Sequence, residues 1–218
     1  MKKLPLLIIL LITSNLSSFS QCGEETEHKV LLIGDSWAFF MNADGTFDNV
    51  FEHWGHSNNT FYSNDVLSVS GAESVDFLLE SRLTEIQTQL DANPSIEVVH
   101  LSLGGNDFLG DWNVDFTPFE TESLKDLVFS RVLTLINLIK EMKPGIRIVY
   151  SGYMYPNFEE VITDTAPLES DHPFYPTWES MGFPNFEELN TILSDFSADI
   201  YELSLVDPQL DFINVPAL

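Results

Sequence analysis

The residues of this chain best suited to chemistry fall in three short blocks: Gly34-Asp35-Ser36-Trp37, Ser70-Gly71-Ala72-Glu73-Ser74 and Gly104-Gly105-Asn106-Asp107. A serine hydroxyl becomes an effective nucleophile once a neighbouring base takes its proton. A glycine lets the backbone approach a ligand closely and offers an N–H as donor. An asparagine amide donates to an oxygen on which negative charge develops. Each block also has a plain structural alternative. Asp35 and Ser36 suit a helix N-cap pair, Gly71 suits a tight turn, and Gly104-Gly105 suits a simple strand-to-helix loop. Their placement is what singles them out, because each follows directly on a short strand-forming run.

Four of the five histidines are the other candidates. His172, in Asp171-His172-Pro173, lies in the connection after the fourth strand-like run and is the candidate substitute base for Ser36. His100 falls inside a strand-like run and reads as a core or sheet-face residue. His53 and His56 sit at the end of the first helical stretch, where a cation suits the helix dipole. Their spacing of three falls short of a metal motif.

The elements that must position these residues alternate in type. Strands are expected at 29–33, 66–70, 96–103, 146–151 and 200–206, with helical patterns between them. The stretch 36–54 reads as a loop and helix, and 73–90 carries apolar residues at helical spacing. Leu124, Leu127, Val128, Leu135, Leu138, Ile139 and Met142 mark one face of a long helix that Pro144-Gly145 stops. Residues 152–183 form an aromatic and proline-rich connection, whose rings line a pocket or cover the open core. Asn185 with Glu188 is a helix-start pair. Such alternation predicts one α/β domain with a mostly parallel sheet covered by helices. The three blocks then fall at the carboxyl ends of successive strands, where open α/β sheets bind their ligands.

In order and placement, the three blocks resemble those of the SGNH (GDSL-like) hydrolase family. The resemblance implies a three-layer αβα sandwich with a mainly parallel five-stranded sheet in flavodoxin-like order 2-1-3-4-5. It implies Ser36 as the nucleophile of an acyl-enzyme, with an oxyanion hole from the Ser36 and Gly71 backbone N–H groups and the Asn106 side chain. Substrates would be small acyl esters or acetylated carbohydrates, with no cofactor and no metal. The family's last block, Asp-x-x-His after the fifth strand, is not matched. Asp207-Pro208-Gln209-Leu210 and Asp211-Phe212-Ile213-Asn214 both lack the histidine. In a serine protease, loss of the base costs on the order of 10⁶ in turnover. The expectation is therefore a domain that stops short of its final helix, aggregates readily and is nearly inert unless a base comes from elsewhere. The alternative function is a non-catalytic carbohydrate- or acyl-binding module that keeps the pocket.

Residues 1–20 read as a signal peptide, with Lys2 and Lys3 before a short apolar run and Ser18-Phe19-Ser20 at the expected cleavage point. The run is too short to cross a bilayer, which needs roughly 20 residues. Residues 21–218 are then the hydrolase-like domain, secreted or periplasmic, without stable membrane insertion. Anchoring through a lipidated Cys22 is the minority expectation. Cys22 is the only cysteine, so no disulfide forms within the chain. Loss of Lys2 and Lys3 takes the formal charge from −25 to −27. Such a surface repels nucleic-acid phosphates and anionic headgroups, so neither is an expected partner.

Overall fold

The aliphatic run Val30–Gly34 forms β1, and its residues from Leu31 on are buried, as in a strand covered on both faces. The structure is a computed structural model that describes residues 27–56, 60–153 and 155–213. The remaining strands are β2 (Phe61–Tyr62), β3 (Val98–Ser102), β4 (Arg147–Ser151) and β5 (Leu210–Ile213). All pair in parallel, in the order β2-β1-β3-β4-β5. The helices are α1 (Ser36–Asn42), α2 (Thr46–His53), α3 (Glu80–Ala92), α4 (Gly105–Asp111), α5 (Pro118–Met142), α6 (Phe158–Thr165), α7 (Tyr175–Ser180) and α8 (Phe186–Val206). Strand order reverses between β1 and β3, so the loops leaving those two strands face a common crevice.

Two packed layers enclose the sheet. On one side, Leu31, Ile33, Val99, Leu101, Ile148 and Tyr150 pack with the apolar stripes of α3, α5 and α8 in a single continuous core. On the other, Leu32, Ala38 and Phe61 pack with Met41, Phe47 and Phe51 of α1 and α2. Alternate residues of one strand thus feed opposite cores, as the period of two requires. Helix α5 begins with a capping box, in which Thr117 and Glu120 satisfy each other's backbone N–H groups, and Pro118 opens the first turn. Lys140 near its end pairs with Asp207, which fixes the turn that leads into β5.

Three elements differ from the expectations drawn from sequence. The run 66–70 is not a strand. Asn64 Oδ1 accepts the N–H groups of Val66 and Leu67 at 2.9 and 3.0 Å, which uses the donors a strand would need. One bridge survives, Gly34 to Ser68, and the second strand lies earlier at Phe61–Tyr62. The run 200–206 belongs to α8. Leu189, Ile192, Leu193, Phe196 and Ile200 continue a three-and-four spacing that keeps the helix going. The fifth strand is instead Leu210–Ile213, beyond the Asp207 turn. The connection 152–183 is partly helical, since Asn157 caps α6 and Pro176 opens α7. Smaller differences are a split of 36–54 into α1, a 3₁₀ turn and α2, and a 3₁₀ turn at Ser74–Leu78 before α3. The leader, Cys22 and Asn214 lie outside the described residues.

Candidate active site

Ser36 is the first residue of α1, half-buried, one residue past the carboxyl end of β1. Backbone pairing draws the other blocks to it. Gly34 N–H donates to Leu67 O at 2.8 Å, and Val69 N–H donates to Gly34 O at 2.9 Å. Gly71 lies two residues beyond Val69, in the turn that Ala72 N–H closes on Val69 O. Its φ of +79° is the left-handed conformation that favours glycine. A Cβ there would meet nothing within 4 Å, so the space beside it is open.

Asn106 stands in the first turn of α4. One of its amide N–H groups donates to Ala72 O at 3.0 Å, and the amide carries a second N–H. Asp107, fully buried, accepts from the Ser74 backbone at 2.8 Å, from the Ser74 hydroxyl and from Arg131 of α5 at 3.2 Å. The loops after β1 and β3, and the segment around Gly71, are therefore tied into one unit by named hydrogen bonds. Ser36, Gly71 and Asn106 belong to these three segments.

Beneath Ser36 the site is polar and buried. Asp35 has no exposed surface. Its Oδ1 accepts Trp37 N–H at 3.0 Å, so the N-cap role open to it in sequence is real. Its Oδ2 accepts the Tyr153 hydroxyl at 2.8 Å. Burial pushes the Asp35 carboxyl up to about 7, the two hydrogen bonds pull it back, and the nearby Asp107 adds to the rise. Burial raises Asp107 as well, against the pull of Ser74 and Arg131. Tyr153 follows β4, and its ring lies over Gly105, where an added Cβ would fall 2.2 Å from the ring. Trp37 meets the same ring edge-on at 6.2 Å. Burial and Asp35 raise the phenol, and the Ser36 side chain beside it acts against that rise.

The histidines have other partners. His100 is buried in β3, bonded through Nε2 to Ser151 Oγ and stacked on Phe47 at 5.4 Å. Burial lowers it to about 4, so it stays neutral near pH 7. His172 accepts Phe174 N–H at its Nδ1, 3.1 Å away. The Nδ1 lone pair is thus engaged by the backbone. His28 precedes β1 and meets Tyr62, at the amino end of the sheet. His56 packs on Phe51, which stacks on Phe61, and His53 lies in the last turn of α2.

Two contributors escape a sequence reading. Tyr153 was one of several rings in an aromatic connection, and its only signal is that it follows a strand at the carboxyl edge. Arg131 breaks the apolar face of α5, a position where a charge needs a buried partner. A cleft of about 330 Å³ adjoins this edge, lined by Tyr155, Ser194, Ser197, Tyr201 and Phe212. Gly152 abuts it, beside Phe212 and Ser197.

A parallel αβα sandwich with its motif-bearing loops at the carboxyl ends of the strands defines a class of α/β folds that bind ligands there. The chain belongs to the GDSL-like lipase/acylhydrolase family, whose model matches residues 32–216. It is an esterase-type hydrolase at the level of that family. Among solved structures, it is similar to a proposed acylhydrolase from Bacteroides fragilis, with TM-score 0.51 and 14% identity over 92% of this chain and 76% of that one. A lipase from a goat rumen metagenome gives TM-score 0.51 and 13% identity over 85% and 80%. The periplasmic domain of a lipopolysaccharide acetyltransferase from Salmonella ser. Paratyphi A gives 0.50 and 18% over 86% and 66%. At these identities the likeness is one of fold. No protein with a curated description matches the chain in sequence.

Proposed function

We propose that this chain is an exported serine hydrolase that cleaves small acyl esters or acetylated carbohydrates through an acyl-enzyme on Ser36. Ser36 Oγ attacks the ester carbonyl, and the developing oxyanion takes hydrogen bonds from the Ser36 and Gly71 backbone N–H groups and the Asn106 amide. The observation that carries this reading is the bond from Asn106 to Ala72 O, next to Gly71. It holds the amide beside the glycine while leaving an N–H unspent. Such preorganised donors stabilise the transition state without reorganising at the moment of reaction. The aromatic cleft beside Gly152 suits the acyl or sugar portion of the substrate. Export rests on the basic start, short apolar run and Ser-x-Ser end of residues 1–20. Among the described residues, no helix is long and apolar enough to cross a membrane.

Hydrolysis of short acyl and acetyl-sugar esters tests the reading. Turnover above the uncatalysed rate is expected, and Ser36→Ala should abolish it. Activity that persists in Ser36→Ala would refute the assignment.

A further inference from the structure

We propose that Tyr153 relays the proton of Ser36 to the buried carboxylate of Asp35, so that Asp35 and Tyr153 together act as the base of this site. The proposal rests on the reading of Ser36 as nucleophile and adds how that serine is activated.

The geometry brings three side chains together. The Tyr153 hydroxyl donates to Asp35 Oδ2 at 2.8 Å, and the Ser36 side chain, next in the chain to Asp35, lies beside the same phenol. Its ring is clamped between Gly105, which has no Cβ to displace it, and Trp37. Asp35 is held in turn by Trp37 N–H on its other oxygen. A phenol that only filled space would not need its one hydroxyl aimed at a buried carboxylate. An unpaired charge so deeply buried is costly, so the Tyr153 bond also makes the Asp35 anion tolerable.

The proton inventory closes. Ser36 Oγ bonds to the acyl carbon while the carbonyl π pair moves onto oxygen. The Ser36 proton passes to the Tyr153 oxygen as the phenol's own proton passes to Asp35 Oδ2. Collapse of the tetrahedral species re-forms the carbonyl and breaks the bond to the leaving alkoxide, which receives a proton by the same path reversed. Water then takes the place of Ser36 as nucleophile, and Ser36 leaves the acyl carbon with the returned proton. Asp35 suits the terminal position because its carboxyl is raised to about 7, near the pH at which a general base works best. Burial and the adjacent carboxylate hold the phenol well above its ordinary range, so Tyr153 transmits protons without standing as an anion. The titratable and charged neighbours are Tyr150 of β4 and Asp107 of α4, with Arg131 of α5 and Glu73 behind Asp107.

The test uses the full chain, with Tyr153→Phe and Asp35→Asn assayed on a short acyl ester from pH 5 to 9. Phe keeps the ring on Gly105 and removes only the hydroxyl. The wild type should gain kcat through an ascending limb centred near 7. Tyr153→Phe should lose about 10²–10³ in kcat with KM little changed, together with that limb. Asp35→Asn should behave alike. A wild-type profile without the limb overturns the relay. So does a Tyr153→Phe enzyme that keeps wild-type kcat, or loses kcat with the limb unmoved, since a merely structural role would act that way. In those cases Ser36→Ala still inactivates and the Ser36 reading stands. If wild-type hydrolysis does not depend on Ser36, both fall.

Discussion

One N–H of Asn106 fastens α4 to Ala72 O, and under the proposed function the other donates to the oxyanion. Asn106→Ala should therefore lower turnover by about 10²–10³, the usual cost of one oxyanion donor. A steady-state comparison on one ester checks this, and a variant within threefold of wild type would contradict it. In sequence, Ser36, Gly71 and Asn106 stand out because each follows a run that reads as strand-forming, although the run before Gly71 folds as a turn. Tyr153 does not, because its meaning comes from a contact with Asp35 across 118 positions of chain. His172 stood out as a histidine in a loop, yet only the Phe174 bond shows which ring nitrogen is occupied.

Among the elements, the start of α4 is the most constrained. Gly104 precedes it at φ +105°, and a Cβ there would fall 2.9 Å from the Phe196 ring of α8. Gly104→Ala must both strain the backbone and push on a core aromatic. It should lower stability by about 1–3 kcal/mol and blunt Asn106 function together. Urea unfolding and turnover on the same sample test this, and loss of neither would show the loop to be looser than described. The long helices α5 and α8 were legible from their apolar spacing and capping signals, although α8 was expected to end near Phe196. The short strands were less so. Asn64 diverts 66–70 into a turn, and the aliphatic tail of α8 imitates a strand. In each case the deciding interaction is either a side chain bonding its own backbone or the continuation of a helical register.

Across the whole molecule, charge sets the solution behaviour. A formal charge of −25 repels itself, so added salt should raise the melting temperature as screening shortens the range of repulsion. The buried Asp35 adds a pH term. Its folded pKa of about 7 lies above the ordinary 3.8, so the folded state binds the proton more tightly than the unfolded chain. Stability from this group is fully present below about 4 and is lost as pH rises through about 7. His100 acts oppositely, because a folded pKa of about 4 contributes stability above 6.5 that is lost as pH falls toward 4. Asp35→Asn should thus gain stability relative to wild type as pH rises from 4 to 7.5. A difference that stays constant across that range, measured by urea midpoint, would refute the pH term. The same ionisation that costs stability supplies the base, so activity should rise where stability falls.

The central claim is that Ser36 is an activated nucleophile. It is tested most directly by treating the full chain with a fluorophosphonate and mapping the adduct by peptide mass spectrometry. The expected result is one phosphonyl group on the peptide containing Gly34-Asp35-Ser36, absent from Ser36→Ala and slowed in Tyr153→Phe. An adduct on another residue, or labelling that continues unchanged in Ser36→Ala, would contradict the claim.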